Sequence, residues 1–182
     1  VLANTYNKVE LIVINDGPND QTGKFISHFI RKYKNGYDAK GKELVYLRKE
    51  KGGKGTALNY GISKARGEII MTVDADSVLA PNALTNLVEY FKDPEISGVV
   101  GNVRIADNYS FLGLVQRLEY LFGFYFKRTH AVMDAEYIFG GACSAYRADV
   151  FKKLGRFDET NKTEDIEMSM RLRYNGYKCT YA

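Results

Sequence analysis

In Met71-Thr72-Val73-Asp74-Ala75-Asp76-Ser77, an apolar run with the β-branched character of a buried strand ends abruptly in two carboxylates. Ligands of open α/β sheets gather at the carboxyl ends of such strands. If the chain stays extended through the pair, Asp74 and Asp76 point to the same side and both can face one ligand. So small a cluster of hard oxygen donors suits Mg²⁺ or Mn²⁺, particularly when the phosphates of a substrate complete the coordination. A solvated Asp pair at a strand end is the plain alternative, and an Asp-x-Asp pattern alone does not choose between them.

Three further stretches have residue types suited to chemistry. Thr163-Glu164-Asp165 opens a helical pattern, where two acids in the first turn are already favoured by the helix dipole. The chemical reading makes Asp165 a general base, its proton affinity raised by the adjacent Glu164 and by partial burial. A carboxylate near its reference pKa of about 3.9 is a weak base toward a hydroxyl, but it need only accept the proton as the transition state forms. Lys51-Gly52-Gly53-Lys54-Gly55-Thr56 has the makings of a phosphate cradle, with glycines that let backbone amides approach oxygen and a helix start behind them. It lacks the GxxxxGK[ST] spacing of a P-loop, so it gives no support to an ATPase or GTPase, and a flexible turn explains it equally well. Gly140-Gly141 interrupts a strand-like run from Tyr137 to Tyr146, at a point where backbone can come close to a ligand.

These groups need a frame, and the hydrophobic periods supply one. Val1 to Tyr6 reads as the tail of a helix. A strand follows over Val9 to Ile14, closed by Asp16 in the turn-rich Asn15-Asp16-Gly17-Pro18-Asn19-Asp20. Next come a helix over Thr22 to Tyr33 with Phe25, Phe29 and Ile30 on one face, a strand over Glu43 to Leu47, and a helix from Thr56 to Ala65. After the strand that ends in Asp74 lie a helix from about Pro81 to Phe91 and a strand from Ile96 to Val103. Strands alternating with helices predict βαβ units and a mostly parallel sheet. Beyond Asn108 seven aromatics fall between Tyr109 and Phe126, with apolar residues at helical spacing from 111 to 125. The reading placed first is a core helix. The other is a helix at a membrane surface or against membrane segments. Helices over Ala148 to Leu154 and Glu164 to Tyr174 and a strand over Tyr177 to Ala182 complete the pattern.

The chain has 182 residues and 45% hydrophobic content, enough for one sizeable core in a single domain. Its longest charge-free stretch, Ser77 to Val88, covers twelve positions, well short of the ~20 apolar residues of a membrane-spanning helix. No signal peptide is visible in its first residues. Two cysteines, Cys143 and Cys179, are too few for a disulfide framework, and His28 and His130 have no ligand-like neighbours. The simpler compartment for such a chain is a reducing one. The net charge of +4 conceals a basic block, since Arg31 to Lys54 holds nine Lys/Arg against Asp38, Glu43 and Glu50. Without interleaved exposed aromatics or a recognisable motif, that block does not make a nucleic-acid binder.

Taken together and in order, Asp16, the Gly/Lys turn, Asp74-x-Asp76, Gly140-Gly141 and Thr163-Glu164-Asp165 resemble the family 2 glycosyltransferases of GT-A fold. Flanks such as Lys54-Gly55-x-Ala57-Leu58-Asn59 and Thr163-Glu164-Asp165-Ile166 extend the likeness over essentially the whole chain. It is greatest to processive, membrane-embedded β-glycan synthases, above all the poly-N-acetylglucosamine synthases of biofilm formation, with hyaluronan, chitin and cellulose synthases as relatives. The resemblance implies an α/β, Rossmann-like core, with residues 1–107 holding a nucleotide sugar and 108–182 the acceptor. It implies that Asp16 contacts uracil, Asp74 the uridine or ribose, and Lys54 the donor diphosphate. Asp76 would hold Mg²⁺ or Mn²⁺, and Phe139, Gly140 and Gly141 would border the acceptor sugar. Asp165 would be the base beside Glu164, and the reaction an inverting transfer from a UDP-sugar to a polysaccharide.

Pro18 stands where that family commonly has Ser, and Gly140-Gly141 replaces the bulkier acceptor-site pattern of cellulose synthases. The family's first nucleotide-binding strand would precede Val1, and its Gln-x-x-Arg-Trp motif and membrane helices would lie outside these residues. The implied setting is the cytoplasmic face of the plasma membrane, reached through segments outside the chain. The implied weakness is self-association through an exposed sheet edge. Two other classes fit parts of the pattern: a non-catalytic nucleotide-binding scaffold of a synthase complex, and a sugar-phosphate nucleotidyltransferase. The latter needs a glycine-rich phosphate motif after its first strand, which Asn15-Asp16-Gly17-Pro18 does not supply.

Overall fold

The computed structural model describes residues 1–17, 21–36, 41–106, 110–133, 135 and 141–182, without the side chains of 34–36. In chain order the elements are β1 (Val9–Asp16), α1 (Thr22–Gly36), β2 (Lys42–Lys49), α2 (Lys54–Lys64), β3 (Ile69–Val73) and α3 (Ala83–Tyr90). They continue with β4 (Ile96–Val100), α4 (Phe111–Val132), β5 (Cys143–Arg147), α5 (Ala148–Leu154), α6 (Glu164–Tyr174) and β6 (Lys178–Tyr181). Strands and helices alternate as the hydrophobic periods predict, and the α/β class follows. Residues 1–6 depart from expectation, forming turns instead of a helix tail. Their backbone is held from outside: Asn4 Nδ2 donates to the Ala80 carbonyl at 2.9 Å and the Lys42 ammonium to the Leu2 carbonyl at 2.8 Å.

Strand direction is where the structure corrects the sequence reading. β1 pairs with β2 in parallel and β4 with β6 in parallel, but β5 runs antiparallel to both β3 and β4, giving the order β3-β5-β4-β6. The sheet is mixed and not mostly parallel. Hydrophobic pattern could not have shown this, because β5 is buried on both faces, as parallel strands usually are. Its placement also means that a strand from the second part of the chain lies between β3 and β4 of the first.

The four-stranded sheet is covered on both sides, and period-two alternation divides its residues between two cores. Val99, Cys143 and Ala145 face Leu87 and Phe91 of the α3 segment. Val100, Tyr146, Cys179 and Tyr181 face Val150 and Phe151 of α5, Phe157, and Met168 and Leu172 of α6. Tyr146, Phe151 and Phe157 meet edge to face or tilted, with centroids 5.5 to 6.1 Å apart. Both cysteines are buried free thiols, and burial pushes Cys143 up to about 11, so it carries no reactive thiolate near neutral pH.

α2 lies on β1 through Gly61, where an added Cβ would come within 2.6 Å of Ile14 Cδ1. That close approach fixes the helix start, and hence Lys54, beside the carboxyl end of β1. α4 contradicts the core-helix expectation. Phe111, Leu114, Leu118, Phe122, Tyr125 and Phe126 are 47% to 83% exposed, and the helix touches the body through a narrow side that includes Gly113 and Ala131.

Candidate active site

The parallel register sets Asp16 opposite Lys49 at the ends of β1 and β2, and their side chains meet at 2.6 Å. Asp16 also accepts from two backbone amides, Gly52 N–H at 2.9 Å on Oδ1 and Gly53 N–H at 2.7 Å on Oδ2. Burial opposes its charge, but Lys49 and the two amides outweigh that and hold the carboxyl below its ordinary value. The amides that looked available as a phosphate cradle are therefore committed to Asp16. The turn favours glycine at both positions. A Cβ on Gly52 would sit 2.6 Å from Thr56 Oγ1, and Gly53 has φ +94°.

Held in this way, the turn delivers Lys54 as the first residue of α2. Its ammonium lies 3.1 Å from Asp74 Oδ1 and 3.1 Å from Glu164 Oε1. Burial disfavours the charge, yet Glu164 and Asp74 together hold this lysine above its usual range. Lys54 therefore joins the end of β3 to the start of α6, two places far apart in sequence. Glu164 is only 4% exposed, so the ammonium neutralises a charge that would otherwise be costly to bury.

Asp74 and Asp76 behave differently from the extended pair considered above. Ser77 N–H donates to the Asp74 carbonyl at 3.0 Å, closing a tight turn, so strand alternation does not place the two carboxylates on one side. Asp74 is tied to Lys54. Asp76 is exposed and has no hydrogen bond or ion pair to any described residue. Among the described residues no group of three or more potential ligands could hold a metal by itself. A single open carboxylate at a turn does fit Mg²⁺ or Mn²⁺ brought with phosphates, because such ions keep few protein ligands.

Asp165 follows Glu164 and is half-buried, its Oδ1 accepting from Ile166 N–H at 2.9 Å. It lines a cleft of about 490 Å³ with Gly53, Lys54, Gly55, Glu164 and the loop 159–162. The loop is fixed to α2 in two ways. Gly55 packs tightly on it, since a Cβ there would lie 3.1 Å from the Asp158 carbonyl oxygen. The buried Asn59 donates to the Phe157 carbonyl at 2.8 Å and accepts from Phe157 N–H at 3.0 Å. The sequence reading treated Asn59 as a mere flank of the Lys54 motif; an Asn inside an apolar helix face was the available signal. Asn59→Leu is expected to strand both Phe157 backbone groups and cost about 2 kcal/mol of stability in a denaturant titration.

Of the acceptor-side residues, Phe139 and Gly140 lie outside the described residues. Gly141 is described, with φ +127° and no described residue within 4 Å of where a Cβ would stand. Its neighbour Ala142 accepts from Asp74 N–H at 3.1 Å, so this stretch arrives beside the β3 carboxyl end. The structure thus brings together Lys54, Asp74, Glu164 and Asp165, keeps Asp16 one turn away through Gly53, and leaves Asp76 at the rim.

Among solved structures the chain is similar to a mannosyltransferase from Pyrobaculum calidifontis, described in complex with GDP-Man and Mn²⁺. The TM-score is 0.74 at 21% identity, covering 99% of this chain and 48% of that one. TarS 1-349 of S. aureus in complex with UDP-GlcNAc gives a TM-score of 0.65 at 18% identity, covering 100% and 49%. At these identities the likeness shows the fold, which is the expected GT-A architecture. In sequence the chain is 35% identical over 184 residues to the poly-beta-1,6-N-acetyl-D-glucosamine synthases of Staphylococcus aureus and Staphylococcus epidermidis. That alignment takes in all of the chain but only 42% of those proteins, so the chain spans less than half their length. Residues 1–155, which contain Lys54 and Asp74 of the site and end before Glu164 and Asp165, match the model of glycosyl transferase family 2, and the chain belongs to this family.

Proposed function

We propose that this chain is the catalytic core of an inverting glycosyltransferase that passes N-acetylglucosamine from a UDP-sugar to a growing β-linked polysaccharide. The observation that carries the reading is the Lys54 ammonium, held between Asp74 and the buried Glu164 at the edge of a cleft that also contains Asp165. Likeness to the poly-N-acetylglucosamine synthases supports the choice of sugar and a part in biofilm polysaccharide synthesis.

The part that the family likeness implies for each residue is compatible with its surroundings. Asp16 Oδ2 accepts one backbone amide and retains capacity for a second donor, which suits the imide N–H of uracil. Asp74 stands close enough to Lys54 to reach a ribose hydroxyl while Lys54 turns toward the diphosphate, trading carboxylate partners for phosphate oxygens. Asp76 would hold Mg²⁺ or Mn²⁺, which when bound supplies positive charge against the departing diphosphate. Asp165 takes the proton of an acceptor hydroxyl as that oxygen attacks the anomeric carbon from the face opposite the leaving group. One displacement inverts the centre, and no covalent sugar intermediate forms. Glu164 keeps Lys54 charged and in place beside the base.

Residues 1–107 serve the donor in this reading. Residues 108–182 serve the acceptor, with Phe139, Gly140 and Gly141 at its resting sugar. We place the reaction at the cytoplasmic face of the plasma membrane within a larger protein. Among the described residues no helix is long and apolar enough to cross a membrane.

Asp76→Asn tests the metal assignment. The substitution removes a charged oxygen from an exposed site that supports no packing, so the melting temperature is expected to stay unchanged. Calorimetric titration with UDP should lose the increment that Mn²⁺ adds to affinity in the parent. Equal Mn²⁺-dependent affinity in both proteins would remove Asp76 from its role.

A further inference from the structure

We propose that Lys162 is a second diphosphate-binding residue of this chain, closing on the donor from the wall of the cleft that faces Lys54. The inference rests on the nucleotide-sugar reading and adds a residue to it. Among the described residues, the charged side chains lining the cleft are Lys54, Glu159, Lys162, Glu164 and Asp165. All but one are engaged. Lys54 lies between Asp74 and Glu164, Glu159 Oε1 accepts from Asn59 Nδ2 at 2.9 Å, and Asp165 Oδ1 accepts from Ile166 N–H at 2.9 Å. Lys162 is exposed and has no hydrogen bond or ion pair to any described residue. Its backbone, by contrast, is held on both sides. Asp158 Oδ1 accepts from Thr160 N–H at 2.9 Å and from the Thr160 hydroxyl at 2.7 Å. Asn161 Oδ1 reaches across Lys162 to accept from Thr163 N–H and the Thr163 hydroxyl, both at 3.0 Å. The root of the side chain is therefore fixed at the cleft while its ammonium stays free.

Charge and continuity decide what that ammonium meets. Gly53 donates to Asp16 Oδ2 at 2.7 Å and also lines the cleft, so a nucleotide with its base at Asp16 runs its phosphates past Gly53 into the cleft. There the acids outnumber the cations by three to two. A diphosphate entering such a space needs every positive charge available, and Lys54 must first give up carboxylate partners to offer its own. Lys162 has none to give up. The acceptor of the proposed reaction is an uncharged sugar, whose hydroxyl and amide oxygens are weaker partners for an ammonium than phosphate oxygens are. A lysine is a flexible point charge with three donors, so it can follow the diphosphate from bound to departing geometry without a fixed fork.

The test is calorimetric titration of the full-length enzyme with UDP and with uridine, Mn²⁺ being present in both. Lys162→Met is expected to weaken UDP binding about threefold to fivefold, the upper range for a solvent-exposed charge pair, and to leave uridine binding as in the parent. Lys162→Glu should weaken UDP about tenfold or more, since repulsion replaces attraction, and Lys162→Arg should restore the parental affinity. The melting temperature should not move in any of the three, because the side chain is exposed. UDP affinity should also fall less steeply with added salt in Lys162→Met than in the parent. Parental UDP affinity in Lys162→Met and Lys162→Glu, beside a loss in Lys54→Met, would overturn this inference and leave the donor reading standing. A parent that binds UDP no better than uridine would overturn both. Transfer lost in Lys162→Met at unchanged UDP affinity would assign Lys162 to the acceptor and likewise overturn the inference.

Discussion

Asp165→Asn in the full-length enzyme should lower transfer by about 10²–10⁴-fold at saturating donor, the range that a positioned general base supplies. Donor binding should be unaffected. The substitution is conservative in the respect that matters for the fold: an amide oxygen can still accept from Ile166 N–H, as Oδ1 does in the parent. What is lost is the ability to take a proton from the acceptor, and that loss enters kcat and not the affinity for UDP. Single-turnover measurements with a UDP-sugar, beside calorimetry with UDP, separate the two. A variant that lost donor affinity but kept its turnover at saturation would show that Asp165 holds the nucleotide instead.

Lys54→Met should weaken UDP binding by about tenfold or more, because it removes the one cation lining the cleft that is held by two carboxylates. It should also lower stability, by a different route. Glu164 is buried, and without the ammonium its charge loses a partner. Lys54 is half-exposed and solvent screens part of the interaction, which brings the expected loss to about 1–2 kcal/mol. The pH dependence has a definite sign. The folded-state pKa of Lys54 is raised, so the stabilisation is fully present below the ordinary lysine value and fades as pH rises through the folded value. The parent should therefore lose stability on its alkaline limb and the variant should lack that component. Thermal melts across the alkaline range, paired with UDP titrations, check both effects. Unchanged melting and unchanged affinity would remove Lys54 from the centre of the site.

Much of the site was legible because it lies at the ends of elements. A β-branched run stopping at Asp74, a helix beginning at Glu164-Asp165 and glycines preceding Lys54 are local signals, created by strand propensity, helix dipole and turn geometry. These also determined the alternation of strands and helices, and hence the α/β class. Their order along the chain was enough to mark the family. Local pattern, however, says whether a side chain points in or out of its own element, not which element stands opposite.

Tertiary structure alone decided the rest. Gly52 and Gly53 amides look ready for phosphate in sequence, yet they donate to Asp16, a residue more than 30 positions earlier. Lys54 reaches Asp74 and Glu164 because Gly61 lets α2 lie close on β1 and because Asn59 and Gly55 hold the loop before α6 against α2. The direction of β5 is invisible to a hydrophobic period, since a strand buried on both faces reads the same whether it runs up or down. The apolar stripe of α4 was correctly found as a helical face, but the sequence could not say which way it turns. Burial is a property of the space between elements, and no described residue covers that face.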